Sequence, residues 1–311
     1  MRDAFLSSIT ELAERDPRVI LITADLGFGI FDNFSRCFSK QFLNVGVAEQ
    51  NMIGIATGMA LEGFKVFAYS IGNFATFRCL EQIRNDAGYH EANITIVASG
   101  GGFTYGSLGM SHHATEDVAI MRALPGITVV VPADAWESLH ATLALGNAKG
   151  VSYLRIEKSG IQTPRMADEV YKVGKARRLK EGSHVTFISM GGITQEVLSA
   201  AQRLESSYPV TCRVISMHTV KPLDEAELIQ AARETQGIIT VEEHNRMGGL
   251  GGAVAECLMN HCCFPGFFKM LAINDHYTSR VGDQAYLRKC NGLDADSIFH
   301  AALDAFKGTV L

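Results

Sequence analysis

Short unbroken apolar runs recur along this 311-residue chain, each followed by a stretch with helical character. In the first half the runs are Val19 to Ala24, Lys65 to Tyr69, Asn93 to Ala98, Ile127 to Val131 and Val151 to Ile156. The stretches between them, Glu49 to Leu61, Phe74 to Asp86, Glu116 to Leu124 and Asp134 to Ala148, read as helices. A strand with apolar residues at every position is buried on both faces. Strands of that kind alternating with helices imply a parallel sheet covered on both sides. Ligands of such sheets bind beyond the carboxyl ends of the strands. Functional residues are therefore expected just after the runs: Asp25 after the first, Ser70 to Phe77 after the second, and Gly100 to His113 after the third.

The pattern breaks in the polar, Gly- and Pro-containing stretch after Glu157 and then resumes. His184 to Met190, Thr211 to Met217, Gly237 to Val241 and Phe268 to Ile273 read as strands. Thr194 to Leu204, Asp224 to Glu234, Gly252 to Leu258 and Ala295 to Phe306 read as helices, with Asp224 as a cap. The expected organisation is α/β in two domains, each a mostly parallel sheet covered by helices. The first spans residues 1–160 and the second 181–311, with a linker over 161–180.

A net charge of −5 gives no electrostatic case for nucleic acid or an anionic membrane surface. No apolar run approaches the length of a membrane span, and the amphipathic N-terminus lacks the pattern of a signal peptide. The seven cysteines are scattered, with no C-x-x-C pair, which suits free thiols in a reducing cytoplasm. No metal-ligand motif stands out.

The sharpest motif runs Gly46-Val47-Ala48-Glu49-Gln50-Asn51-Met52-Ile53-Gly54. It sets a carboxyl group at the start of a glycine-rich apolar helix, where desolvation favours the protonated form. On spacing alone Glu49 is equally an ordinary first-turn carboxylate facing the helix dipole. The motif and its continuation to Ser70 resemble the pyrimidine-binding domain shared by transketolases and deoxyxylulose-phosphate synthases. The resemblance implies the thiamine-diphosphate-binding fold, followed by a domain like the transketolase C-terminal domain. It also implies that Glu49 hydrogen-bonds a ring nitrogen of the aminopyrimidine of thiamine diphosphate. The imino tautomer so favoured can then take the proton from the thiazolium carbon.

The same resemblance assigns further residues. Phe74 and Phe77 match aromatic residues that pack on the aminopyrimidine ring, although Phe77, Leu80 and Ile83 also have the spacing of a helix core. Asp25 matches an aspartate near the cofactor and the dimer interface. In Gly109-Met110-Ser111-His112-His113, His112 matches the histidine that binds sugar oxygens and moves protons, and His113 replaces a usual glutamine. Arg155 and, at the chain end, Arg2 match arginines that grip a substrate's terminal phosphate. The loop before His112 is shorter than in transketolases acting on common sugar phosphates, which puts the usual acceptor specificity in question. The glycine run Gly248-Gly249-Leu250-Gly251-Gly252 fits a dinucleotide fingerprint poorly, and a tight loop at a helix start explains it without a ligand.

No Gly-Asp-Gly occurs anywhere in the chain. That motif holds the cofactor's diphosphate through Mg²⁺ or Ca²⁺ in the family. The resemblance therefore implies an N-terminal transketolase subunit as partner, carrying the diphosphate-binding domain and the metal, in a heterotetramer of two plus two. The implied reaction moves a two-carbon ketol unit from a ketose, phosphorylated or otherwise anionic, to an aldose. The rival expectations are the beta subunit of a 2-oxo-acid dehydrogenase, a deoxyxylulose-phosphate-synthase-like enzyme, and a non-catalytic scaffold.

Overall fold

The apolar runs fold as strands. The structure, a computed structural model, describes residues 1–158, 162–166 and 168–310. The first half contains strands β1 (Val19–Thr23), β2 (Phe42–Asn44), β3 (Lys65–Ile71), β4 (Ile94–Ser99), β5 (Thr128–Val130) and β6 (Ser152–Ile156). Its helices are α1 (Arg2–Arg15), α2 (Asp32–Cys37), α3 (Glu49–Leu61), α4 (Leu80–Gln82), α5 (Asp117–Ala123) and α6 (Ala135–Leu145). The second half contains β7 (Arg177–Lys180), β8 (Val185–Ser189), β9 (Cys212–Ser216), β10 (Thr219–Lys221), β11 (Gly237–Asn245) and β12 (Phe267–Ile273). Its helices are α7 (Thr194–Ser207), α8 (Glu225–Glu234), α9 (Leu250–Asn260), α10 (Gln284–Cys290) and α11 (Ala295–Val310).

The strands form two sheets, in the orders β10-β5-β6-β4-β3-β1-β2 and β12-β11-β8-β9-β7. Every pairing is parallel except β10 with β5 and β7 with β9. Strands β1, β4, β6, β8 and β9 are buried at every position, the charged Arg155 of β6 and Arg213 of β9 included.

Both antiparallel edges depart from the sequence expectation. Strand β7 lies inside the span expected to be linker, and residues 161 and 167 of that span lie outside the described residues. Its sequence Arg-Arg-Leu-Lys hides its strand character, because an edge strand tolerates charged residues that a central strand excludes. Strand β10 comes from the second half yet closes the first sheet, with Thr219 opposite Val130. One apolar cluster accordingly runs from Ile20 and Met52 under the first sheet to Ile188, Leu228 and Leu258 in the second half. Among the described residues no helix is long and apolar enough to cross a membrane, and the seven cysteines are unpaired.

The helix expected over Phe74 to Asp86 is the third departure. The chain after β3 makes turns as far as Cys79, and only then forms α4, which opens into a π-helical turn over Ile83–Gly88. Here Thr76 Oγ1 donates to Gly72 O at 2.6 Å and lies 3.2 Å from the Tyr153 hydroxyl of β6. A side-chain bond to a nearby carbonyl of this kind competes with the helical ladder.

Candidate active site

Strands β1, β3 and β4 all deliver their carboxyl ends to one edge of the first sheet, as the parallel register demands. Glu49 opens α3 beside that edge and is only 2% exposed. Ser70 Oγ, near the end of β3, donates to Glu49 Oε1 at 3.4 Å. Arg78 Nη1 donates to Glu49 Oε2 at 2.7 Å, with about half of the arginine side chain in solvent. The Arg78 guanidinium also lies 4.4 Å from the centre of the Phe74 ring. The other neighbour of Phe74 is His112, whose ring meets it edge-on at 5.2 Å. Glu49, Arg78, Phe74 and His112 thus form a continuous line of contacts from two loops and a helix start. His112 Nδ1 lies 3.1 Å from Ser111 Oγ, and Asn73 Nδ2 donates to the Ser111 carbonyl, which ties the two loops together.

A cleft of about 490 Å³ adjoins this line. Its walls include Asn73, Phe77, Ser111 and His113 from the first half and Tyr277 and Thr278 from the second. Phe77 is 38% exposed there, so it belongs to the cleft wall and not to a helix core. His113 is buried, edge-on to Phe103 at 5.1 Å, and burial pushes its imidazole below the ordinary value. Three buried polar atoms of the cleft residues, Asn73 Oδ1, His113 Nε2 and Thr278 Oγ1, have no protein partner. A buried polar atom without a partner is costly, so these three atoms are unmet hydrogen-bonding capacity beside the cleft.

Asp25 closes β1 onto β2. Its backbone adopts φ of +55°, its N–H donates to Asn44 Oδ1 at 2.9 Å, and Asn44 Nδ2 returns a bond to Asp25 Oδ1 at 3.2 Å. Arg2 is partly exposed, its Nε 3.7 Å from Asp3.

Residues 1–163 match the family described as transketolase, pyrimidine binding domain, and residues 174–298 match transketolase, C-terminal domain. The chain belongs to the transketolase family. A putative transketolase C-terminal section from Methanocaldococcus jannaschii is 36% identical, covering 99% of this chain and 96% of that protein. An apulose-4-phosphate transketolase subunit from Phocaeicola vulgatus is 32% identical over 98% of this chain and 97% of its own length. A solved split-gene transketolase, described as an inactive beta4 tetramer, superimposes with a TM-score of 0.87 at 34% identity, covering 98% of this chain and 97% of that one. The transketolase chain therefore has the organisation of the C-terminal subunit of a split enzyme, matched nearly end to end.

Arg155 is not among the residues lining the cleft. Its side chain is 2% exposed, with Nε 3.5 Å from the buried Asp117 and Nη2 donating to Glu243 O at 2.9 Å and Ala114 O at 3.3 Å. A guanidinium enclosed this way ties the two halves of the transketolase chain together. The Gly100-Gly101-Gly102 run serves the same packing. A Cβ on Gly101 would fall 1.8 Å from Arg155 Nε, and one on Gly102, at φ of +58°, 2.3 Å from Glu243 Oε1. The second glycine run is likewise filled by the protein itself. Glu242 accepts from the Leu250 and Gly251 N–H groups at 2.7 and 2.8 Å, occupying the start of α9. Burial raises the Glu242 carboxyl to about 7 in spite of those bonds.

Sequence reasoning missed Arg78, Tyr277 and Thr278. A basic residue in the otherwise apolar and aromatic stretch Phe74-Ala75-Thr76-Phe77-Arg78 was a readable signal for the first. Nothing local in sequence marks Tyr277 and Thr278, which reach the cleft only through packing of the second half.

Proposed function

We propose that this chain supplies the aminopyrimidine side of a thiamine-diphosphate active site and, with a separate diphosphate-binding subunit, transfers a two-carbon ketol unit from a ketose phosphate to an aldose phosphate. The observation that carries the reading is the contact line Glu49, Arg78, Phe74, His112 at the carboxyl edge of a parallel sheet. The side chains present fit the pyrimidine end of the cofactor: a buried acid, a hydroxyl from Ser70 and the Phe74 ring. They do not fit its diphosphate end, for which the chain has no Gly-Asp-Gly. The metal, Mg²⁺ or Ca²⁺, and the diphosphate accordingly fall to the partner. When bound, thiamine diphosphate supplies the carbon nucleophile.

The chain's own residues then divide the work. Glu49 would meet the pyrimidine end of the cofactor, with Arg78 turned away into the solvent it already half occupies. Phe74 gives the ring an apolar face. His112, half-buried at the mouth of the loop, binds sugar oxygens and exchanges protons with them. Asn73, His113 and Thr278 bind hydroxyls deeper in the cleft, and Phe77 forms its apolar wall. With Arg155 sealed in the core, Arg2 is the residue of the expected pair left to meet a terminal phosphate. The relative described as an inactive tetramer of beta subunits supports a dependence on a partner and a tendency to self-associate. Two copies of this chain with two of the partner form the complete enzyme in the cytoplasm.

The test is reconstitution with the diphosphate-domain subunit, followed by a screen of ketose phosphates against pyruvate. The chain alone is inactive, and the mixture turns over a ketose phosphate. Glu49→Gln lowers turnover at least about 100-fold, the usual scale of an acid–base group, with assembly unchanged. Turnover by the isolated chain, a response to pyruvate alone, or full activity of the Glu49→Gln complex would each reject the proposal.

A further inference from the structure

The second half carries a cluster of metal-binding side chains remote from the ketol-transfer site and unused by it. Cys257 lies on α9 and His261 follows one turn later, its N–H donating to the Cys257 carbonyl at 3.1 Å. Residues four apart on a helix share a face, so the thiol and the imidazole point the same way. Across from them, Glu225 opens α8, and its Oε2 is 2.9 Å from His261 Nε2. The Cys257 sulfur, a nitrogen of His261 and a Glu225 oxygen all lie within 4.8 Å of one another.

We propose that Cys257, His261 and Glu225 form a zinc site that clamps α8 to α9. A thiolate with an imidazole and a carboxylate is a donor set for Zn²⁺, since hard ions such as Mg²⁺ and Ca²⁺ take oxygen ligands alone. Tetrahedral zinc with bonds of about 2.0 to 2.3 Å needs donor atoms about 3.5 Å apart. The cluster closes to that size by rotation of His261 and Glu225, both exposed, onto the nearly buried thiol. Three protein ligands leave a fourth position for water, on the wall of a cleft shared by Glu225, Cys257 and Asn260. The site was invisible to sequence motifs because its ligands come from two separate helices. It stands apart from the ketol-transfer reading, and neither depends on the other.

The alternative is a surface His–Glu pair beside an ordinary buried thiol, so the decisive readout is the sulfur. The full chain, with any affinity tag removed, is dialysed metal-free and titrated with Zn²⁺ against a chromophoric chelator, and separately with Co²⁺. The proposal expects one equivalent of Zn²⁺ per chain, a rise in Tm with zinc, and a thiolate-to-cobalt charge-transfer band. Cys257→Ser loses the band. His261→Ala and Glu225→Gln, both at exposed positions where folding is spared, weaken Zn²⁺ at least about tenfold, as loss of even an outer-sphere partner does. Absence of the cobalt band in the wild-type chain, or wild-type zinc affinity in both exposed-site variants, overturns the site.

Discussion

At the level of single residues, the chain separates two uses of buried charge. Glu49 is buried but its cation, Arg78, is half in solvent, so the pair can part at little desolvation cost to the arginine. Arg155 and Asp117 are both enclosed, and Tyr153 adds a hydroxyl donor to Asp117 at 2.6 Å. Removing one member of such a pair strands the other without water or counter-charge. Arg155→Ala is expected to cost about 3–5 kcal/mol, seen as a lower urea midpoint. A phosphate-gripping Arg155 would instead leave stability unchanged and raise KM for a phosphorylated donor, so the two measurements together decide its role. Both residue types were readable in the sequence. Their enclosure was not, because it depends on Gly101, Gly102 and Glu243 meeting from distant segments.

At the level of elements, local capping and tertiary anchoring meet at α6. Asp134 Oδ1 accepts from the Glu137 N–H at 2.8 Å, and its other oxygen accepts from the Thr163 N–H at 3.0 Å. The same acid therefore starts a helix and pins the chain leaving β6. Asp134→Ala is expected to lower stability by about 1–2 kcal/mol, the upper range of a lost cap, measured by urea unfolding. Asp134→Asn keeps one acceptor for the Glu137 N–H but sets an NH2 against the Thr163 N–H, and should recover only the cap's share of the loss. The start of α6 was legible because a cap acts within four residues. The segment from Phe74 to Cys79 was misread as helix because Thr76 bonds back to the Gly72 carbonyl, in competition with the helical ladder, and also meets Tyr153 of β6, which no local pattern records.

On the scale of the whole molecule, β10 joins the halves and carries a buried histidine beside it. His218 is fully enclosed, stacked on Tyr171 at 4.3 Å, with Nδ1 2.9 Å from Thr219 Oγ1. Burial, with the nearby Arg177 cation, pushes its imidazole down from 6.5 to about 3. Between those values the unfolded chain holds a proton at this residue and the folded chain does not, so stability rises with pH across the window. Other buried groups titrate in the same range, so the prediction concerns a difference. The stability of the wild type relative to His218→Gln should increase from pH 3 to pH 6.5. Its slope approaches about 1.4 kcal/mol per pH unit, one proton's worth, in urea unfolding across pH. A flat difference would show that the histidine is protonated in the folded state.

By itself the sequence determined the α/β class, the two-part organisation and the place of Glu49, Phe74 and His112 at one sheet edge. Each rests on short-range physics: apolar runs bury strands on both faces, and a parallel sheet gathers the loops after those strands on one side. Only the tertiary structure decided that Arg155 is a core cation, that Arg78 guards Glu49, and that β7 and β10 close the sheets antiparallel. It alone brought Tyr277 and Thr278 to the cleft and Glu225 to Cys257 and His261. These are contacts between segments far apart in the chain, set by how two sheets pack, and neither spacing nor composition encodes that geometry.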